Sequence, residues 1–214
     1  MKPLGKVKLK WSPEFAYAIG LIVTDGSLSK DGRHVTLISK DIEMLDNFKS
    51  CLNISNKIEA HSSGYAKENN CHKVQLGDRM FYDFLVSIGL MSNKTKIIKE
   101  ADIPKKYFAD FLRGHFDGDG TFYSYWDKRW KSSFMYYVTF LSASKGHIDW
   151  LREKMSEAIG VAGHITKAKT SSVYQLKYAK KESNEIIRYM YYSEDAICLS
   201  RKRLKIEKVL GSME

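Results

Sequence analysis

The chain has 214 residues and a mass of 24.7 kDa, room for one large domain or for two of about 100 residues each. A composition of 43% apolar and 28% charged residues with three prolines excludes a disordered chain. There is no apolar run of the ~18–20 residues a membrane span needs. The basic N-terminus Met1–Lys10 lacks the apolar core of a signal peptide, and three scattered cysteines (Cys51, Cys71, Cys198) without CxxC spacing argue against a disulfide framework or a zinc knuckle. A reducing compartment fits this cysteine usage. The formal net charge is +10, with 15 basic and 12 acidic residues over 1–103 but 20 and 13 over 104–214. Such a balance points to nucleic acid, acidic membranes or acidic proteins as partners.

In chain order, Ser12-Pro13-Glu14 predicts a helix start, with serine as N-cap and proline in the first turn, and the helix runs to about Thr24. Residues 27–39 and 57–78 read as two hairpins flanking a helix over 41–52. Met80, Phe81, Phe84, Leu85 and Ile88 give Arg79–Leu90 an amphipathic helical period. A first half over 1–92 and a linker over 93–104 lead to a second half over 105–214. There the pattern predicts a helix over 105–118, a hairpin over 121–142, a helix over 146–159, a hairpin over 162–178, a helix over 182–192 and a basic final helix over 194–210.

The two halves echo each other, which makes the chain a duplication and not a solenoid of short repeats. Ala18-Ile-Gly-Leu-Ile-Val-Thr-Asp-Gly26 matches Leu112-Arg-Gly-His-Phe-Asp-Gly-Asp-Gly120, each with a glycine (Gly20, Gly114) five residues before an aspartate (Asp25, Asp119) that a second glycine follows. Downstream, Val35-Thr36-Leu37 answers Val138-Thr139-Phe140, and Val74-Gln75-Leu76-Gly77 answers Tyr174-Gln175-Leu176-Lys177. The coarse reading is αββαββα, twice.

An Asp-Gly pair ending a helix is ordinarily a turn and a C-cap. A carboxylate at a helix C-terminus nevertheless opposes the helix dipole by roughly 0.3–1 kcal/mol. Its recurrence at matching positions points to a divalent cation site. Glycine within a helix costs about 1 kcal/mol against alanine and is tolerated where two backbones meet. Helices packed through Ala16/Gly20 and Gly114/Gly118 would bring Asp25 and Asp119 near each other.

The two segments resemble the LAGLIDADG motif of homing endonucleases, and their double occurrence over about residues 12–192 is similar to the single-chain, two-repeat branch. The resemblance implies an α+β fold of two pseudo-symmetric αββαββα repeats that pack through the motif helices, each offering a saddle-shaped antiparallel sheet to the DNA major groove. It implies a monomer that cuts both strands of a long duplex site across the minor groove, leaving short 3′ overhangs. Mg²⁺ would be held by Asp25 and Asp119 with the adjoining positions Thr24 and Gly118; Mn²⁺ would substitute, and Ca²⁺ would support binding only. The first motif has Val23-Thr24 where the pattern has Asp-Ala; the second has Arg113, His115 and Gly118 at changed positions. His115 reads as a core histidine and Asp117 as a hydrogen-bonding group.

The family also places a basic residue of each half near the reaction centre. Lys177, at the end of the last strand, is the candidate in the second half, with Gly77 as its repeat counterpart. Lys40 is the candidate in the first half, with Lys145 as counterpart; phosphate or solvent contact is the alternative role of all three. Alternation along strands puts every second residue on a DNA-facing side. The candidates for contact are Arg33, His34, Lys57, His61, Lys73 and Gln75 in the first half. In the second they are Tyr123, Tyr125, Trp126, Lys128, Arg129, Trp130 and Lys131 of a long hairpin, with His164, Lys167, Lys169 and Gln175. Arg or Lys to guanine and Gln to adenine are the geometric defaults. The final helix, with Arg201-Lys202-Arg203, Lys205 and Lys208, either touches phosphates or packs through Leu199, Leu204 and Val209. Two further readings share the scaffold: a maturase binding intron RNA, and a sequence-specific DNA-binding protein that does not cut. An intein-embedded nuclease is disfavoured by Met1 at one end and Gly211-Ser-Met-Glu214 at the other. The expected location is the cytoplasm or nucleoid, or an organelle matrix if organelle-encoded, without secretion.

Overall fold

The computed structural model describes residues 5–61, 71–129, 133–167 and 171–211. Residues up to Lys94 together with Ala101–Gly118 form one compact unit; Thr95–Glu100 and the residues from Asp119 onward form the other.

The first unit opens with α1 (Pro13–Asp25), whose N-cap Ser12 accepts the Phe15 amide. A two-strand ribbon follows, β1 (Gly26–Leu28) and β2 (His34–Ser39), then α2 (Ile42–Leu52), β3 (Ile58–His61), β4 (Cys71–Gly77) and α3 (Arg79–Ser87). All pairings are antiparallel and the sheet order is β1-β2-β4-β3. Val35 and Leu37 of β2 and Val74 and Leu76 of β4 are buried, whereas Thr36 and Gln75 point the other way. Met44, Leu45, Phe48 and Leu52 form the buried stripe of α2, and Phe81, Tyr82 and Leu85 that of α3. The helices therefore cover one face of the sheet and leave the other open. Left-handed Asn53 (φ 51°) ends α2 with its amide on the Lys49 and Ser50 carbonyls. Buried Asp78 has three uses: its carboxylate caps α3 at Phe81 and accepts the Lys6 and Val7 amides, pinning the N-terminal segment.

The unit also contains the second motif helix, α4 (Phe108–Asp119), which follows a 3₁₀ turn over Lys105–Tyr107. The segment before it is held down: Ala101 is buried and the Asp102 amide donates to the Ile88 carbonyl. From Phe15 to Val23 every residue of α1 is buried, and so is every residue of α4 from Phe108 to Asp117. A helix buried all round belongs at the centre of a core. Because α4 carries polar residues there, it needs internal partners. Arg113 reaches Asp110 at 2.8 Å and lies over the Tyr17 ring, and the Tyr17 hydroxyl donates to Asp117 at 2.8 Å. Burial, and then the Asp117 charge, push the Tyr17 hydroxyl pKa well above its ordinary value. His115 is buried with its ring 6.2 Å from that of Phe111, as read for a core histidine.

The second unit repeats the element order with β5 (Thr121–Trp126), β6 (Phe134–Ser142), α5 (Lys145–Ile159), β7 (His164–Lys167), β8 (Tyr174–Ala179) and α6 (Lys180–Met190). Its sheet order, β5-β6-β8-β7, reproduces that of the first. Phe122, Tyr136, Val138, Phe140, Leu176 and Tyr178 form its buried face. Ser183 ties α6 to that sheet, accepting from the Val138 amide and donating to the Tyr178 carbonyl. The final helix, α7 (Ser200–Gly211), starts six residues later than 194. The Ser193-Glu194-Asp195 stretch instead makes a turn, in which Ser193 takes the Asp195 amide on its hydroxyl and the Ala196 amide on its carbonyl.

Candidate functional site

The motif glycines are in backbone contact. A Cβ built on Gly20 would lie 2.3 Å from the Phe111 carbonyl oxygen and 2.7 Å from the His115 amide nitrogen; one on Gly114 would lie 2.1 Å from the Tyr17 carbonyl oxygen. Only hydrogen fits at either position.

This approach assembles Thr24, Asp25 and Gly118. A Cβ on Gly118 would fall 1.9 Å from Thr24 Oγ1 and 2.6 Å from Asp25 Oδ2, so the Asp25 carboxylate lies in the space the glycine leaves. The Thr24 hydroxyl bonds to the Leu21 carbonyl at 3.0 Å and stands 3.2 Å from Asp25 Oδ2. Asp25 is half-buried at the end of α1, and Asp119 is exposed at the end of α4. Neither helix has a basic residue in its last turn, so each terminus adds its partial negative charge to a carboxylate. Hard oxygen donors of this kind suit Mg²⁺ or Ca²⁺, and Mg²⁺ needs few of them because it keeps waters. Among the described residues no group of three or more His, Cys, Asp and Glu side chains could hold an ion, which separates these positions from an all-protein cage. The glycine cradle at Gly118 fits a site of carboxylate, backbone and water oxygens.

Two lysines stand beside these ends: Lys94, which the sequence did not single out, and Lys202, one of the final helix's candidates for phosphate contact. Buried Lys94 donates from Nζ to the Gly26 carbonyl, and Lys202 of α7 donates to the Gly120 carbonyl at 2.7 Å. Each motif aspartate is thus followed by a glycine whose carbonyl holds an ammonium group. The signal in the sequence is their position: both follow the closing helix of their repeat, α3 or α6, and they stand 108 residues apart, near the 94 of Asp25 and Asp119 and the 103 of Val35 and Val138.

The strand registers revise one pairing. Thr121, two residues after Asp119, faces Thr139, which faces Lys177, which faces His164. In the first sheet Ser27, two residues after Asp25, faces Thr36, which faces Gln75. Gln75, not Gly77, is therefore the counterpart of Lys177. Matching Leu76 to Leu176 sets the repeats two residues out of step, whereas the sheets align Val74 with Leu176 and Leu76 with Tyr178 on their buried faces. Lys40 is exposed just beyond β2. Lys145 is exposed at the start of α5 and paired with Asp149.

The contact candidates are dispersed over both open faces and the turns. Arg33 is exposed in the β1–β2 turn, 3.7 Å from Asp31, whose carboxylate also meets His34 Nδ1. The His34 contact holds the Asp31 carboxyl down at about 2. His34, Lys57 and Gln75 line, with Asn56, Glu59 and Gly77, an open cavity of about 340 Å³. Lys73 lies 3.6 Å from Glu59, its cross-strand partner. His61 and Cys71 pair at the end of β3. In the second unit Lys128 and Arg129 are exposed after β5, Arg129 beside Asp127. Gln175 faces Leu141 and Thr166; Lys167 ends β7 with its Nζ 4.4 Å from the Tyr174 ring centroid. Tyr123 and Tyr125 share the open face with Tyr137. Trp126 is 61% exposed on the opposite side of β5, against Phe134. Trp130, Lys131 and Lys169 lie outside the described residues. Of the residues expected to pack α7, Leu199 is buried, Val209 is half-buried and Leu204 is 61% exposed; Ile206 is buried within the helix, and Arg203 pairs with Glu207.

No family model matches the chain. A curated relative, "DNA-directed RNA polymerase subunit Rpo1C" of Methanocaldococcus jannaschii, is 24% identical over 212 residues, covering 96% of this chain and 22% of its own length. The chain thus spans about a fifth of that relative. Among solved structures it is similar to the I-LtrWI LAGLIDADG homing endonuclease bound to target DNA, with TM-score 0.61, 12% identity, and coverage of 94% of this chain and 90% of that one. It is similar to I-DmoI in complex with DNA and Ca, with TM-score 0.58, 14% identity, and coverage of 91% and 97%. It is similar to full-length DUF199/WhiA from Thermatoga maritima, with TM-score 0.58, 14% identity, and coverage of 97% and 63%. Among the described residues no helix is long and apolar enough to cross a membrane. The element order, the two sheets of identical topology and these likenesses agree: the chain has the two-repeat LAGLIDADG fold.

Proposed function

We propose that this protein is a site-specific double-strand DNA endonuclease that depends on a divalent cation. The observation that carries the reading is the repeated triplet of a helix-end aspartate, a glycine and a lysine on that glycine's carbonyl: Asp25, Gly26 and Lys94, then Asp119, Gly120 and Lys202. The similarity to I-LtrWI bound to its target DNA and to I-DmoI with DNA and Mn or Ca supports both duplex DNA and a divalent ion.

In this reading Asp25 and Asp119, with backbone oxygens near Thr24 and Gly118, hold Mg²⁺ beside the scissile phosphates, one on each strand. The ion supplies a water of lowered pKa and neutralises charge on the phosphate. Gly26 and Gly120 keep the backbone low, so that a phosphodiester can approach the carboxylates. Lys94 and Lys202 bring a positive charge to each acidic helix end, positioned to balance the carboxylate before substrate arrives and the phosphate after it does. The open sheet faces supply recognition: His34, Lys73 and Gln75 are suited to base edges, and Arg33, Lys57, Lys128 and Arg129 to phosphates.

A second reading, duplex binding without cleavage, is favoured by the likeness to DUF199/WhiA, which is as close in fold as that to I-DmoI. One experiment separates them. The protein and Mg²⁺ are incubated with long randomised duplexes, and the cut ends are sequenced. An enriched site with short 3′ overhangs, lost in Asp25→Asn and Asp119→Asn by roughly 100-fold or more while binding persists, supports the nuclease. Enrichment of bound duplexes in Ca²⁺ without cut ends in Mg²⁺ supports the second reading, and full cleavage by either variant refutes the role of its aspartate.

A further inference from the structure

The two open sheet faces differ chemically. That of the first sheet presents His34, Thr36, Lys73 and Gln75, side chains that read the edges of paired bases. That of the second presents three nearly parallel tyrosine rings whose centroids form a triangle. Tyr123 and Tyr137 face each other across β5 and β6 with centroids 5.2 Å apart and planes 13° from parallel. Tyr125 joins at 6.2 Å and 4° from Tyr137 and at 6.4 Å and 9° from Tyr123. Burial of this face in the protein core does not explain them: Phe122, Tyr136 and Val138 fill the core from the other side, and Tyr125 is 44% exposed.

A paired base in a duplex has both faces covered by its neighbours and shows only its edges in a groove, so a ring face has nothing there to stack on. An unpaired base has a free face, and aromatic side chains on an antiparallel sheet take such bases by stacking. The charge fits the same ligand: Lys177 shares the face, Lys128 and Arg129 flank its β5 end, and residues 104–214 hold 20 basic against 13 acidic side chains. We infer that the open face of the second sheet binds unpaired nucleobases of a single-stranded DNA or RNA segment, with Tyr125 as the first stacking surface. The inference does not need the nuclease reading, since a chain that cuts nothing would still have this site.

The test is fluorescence anisotropy of labelled oligo(dU), oligo(U) and an abasic oligomer, each of roughly 12 nucleotides, within the span of single-strand sites. An abasic strand keeps every phosphate and removes every base. The expected result is that the wild-type protein binds at least one base-bearing strand about tenfold or more tighter than the abasic one, the scale of one or two stacked bases. Whichever of oligo(dU) and oligo(U), which differ only in the sugar, binds tighter identifies the preferred sugar. The Tyr125→Leu/Tyr137→Leu variant, which keeps apolar area but removes two ring faces, should lose about the same factor. Equal affinity for abasic and base-bearing strands overturns the inference without any variant. So does a leucine variant that binds single strands as tightly as wild type, or one that loses duplex binding alone.

Discussion

The contact between Gly20 and Gly114 gives the sharpest test of the fold. Replacing Gly114 by alanine puts a methyl group 2.1 Å from the Tyr17 carbonyl oxygen, and the Gly20 equivalent meets the Phe111 carbonyl at 2.3 Å. Ordinary contact begins near 3.4 Å, and the obstacles are helix backbone, so α1 and α4 must separate locally by about 1 Å. Overpacking costs about 1–3 kcal/mol, and a clash with unyielding helix backbone belongs in the upper part of that range, about 2–3 kcal/mol. Alanine recovers about 1 kcal/mol of helix propensity. The net loss is about 1–2 kcal/mol, and a chain of this size loses roughly 2–4 °C of melting temperature per kcal/mol. Each single variant should therefore melt about 2–8 °C lower by calorimetry or circular dichroism. Since one displacement relieves both clashes, the double variant should lose clearly less than the sum of the singles. A single variant melting at the wild-type temperature, or strict additivity in the double, would refute the backbone contact.

Three other expectations follow from the same geometry. Lys94→Met and Lys202→Met should each slow cleavage by roughly tenfold or more at saturating Mg²⁺ with little change in duplex affinity, because the lost charge acts at the reaction centre; unchanged single-turnover rates would leave both lysines a purely structural role. Duplex affinity should fall with salt at a log–log slope of about −0.9 per phosphate contact, and a flat response would exclude an extended DNA interface. Burial, and secondarily Glu14, raise the Cys51 thiol to about 12, so at pH 8 it stays protonated and should be alkylated by iodoacetamide far more slowly than in unfolded protein. Equal rates, followed by mass spectrometry, would show that α2 opens freely.

Some of this protein could be read without coordinates because the signals are local. The serine-proline helix start, the stripes of α2 and α3 and the alternation of β2 and β4 depend on neighbours within a few residues, and each is observed. The duplication was legible because both halves bury the same pattern, and the motif glycines because a glycine inside a helix asks for a reason. The acidic helix ends were visible as a repeated choice that local energetics disfavours.

What the sequence left open depends on contacts between distant residues. Lys94 and Lys202 look like any exposed lysines in a basic chain; they acquire meaning only from carbonyls 68 and 82 residues away. The counterpart of Lys177 could not be settled by matching letters, because similar strands align equally well two residues out of step and only cross-strand hydrogen bonds fix the register. The late start of α7 reflects a serine turn that competes with helix over a few residues. Asp117 was legible as a hydrogen-bonding group but its partner was not; the chain folds α4 into the core, where Asp117 takes the Tyr17 hydroxyl and Asp110 takes Arg113. The tyrosine cluster was legible only as scattered aromatics in a hairpin. Its parallel geometry is a product of strand pairing, which brings side chains twelve and fourteen residues apart onto one face. Periodicity and local free energy are written along the chain, whereas the company each side chain keeps is decided by which backbones can approach one another.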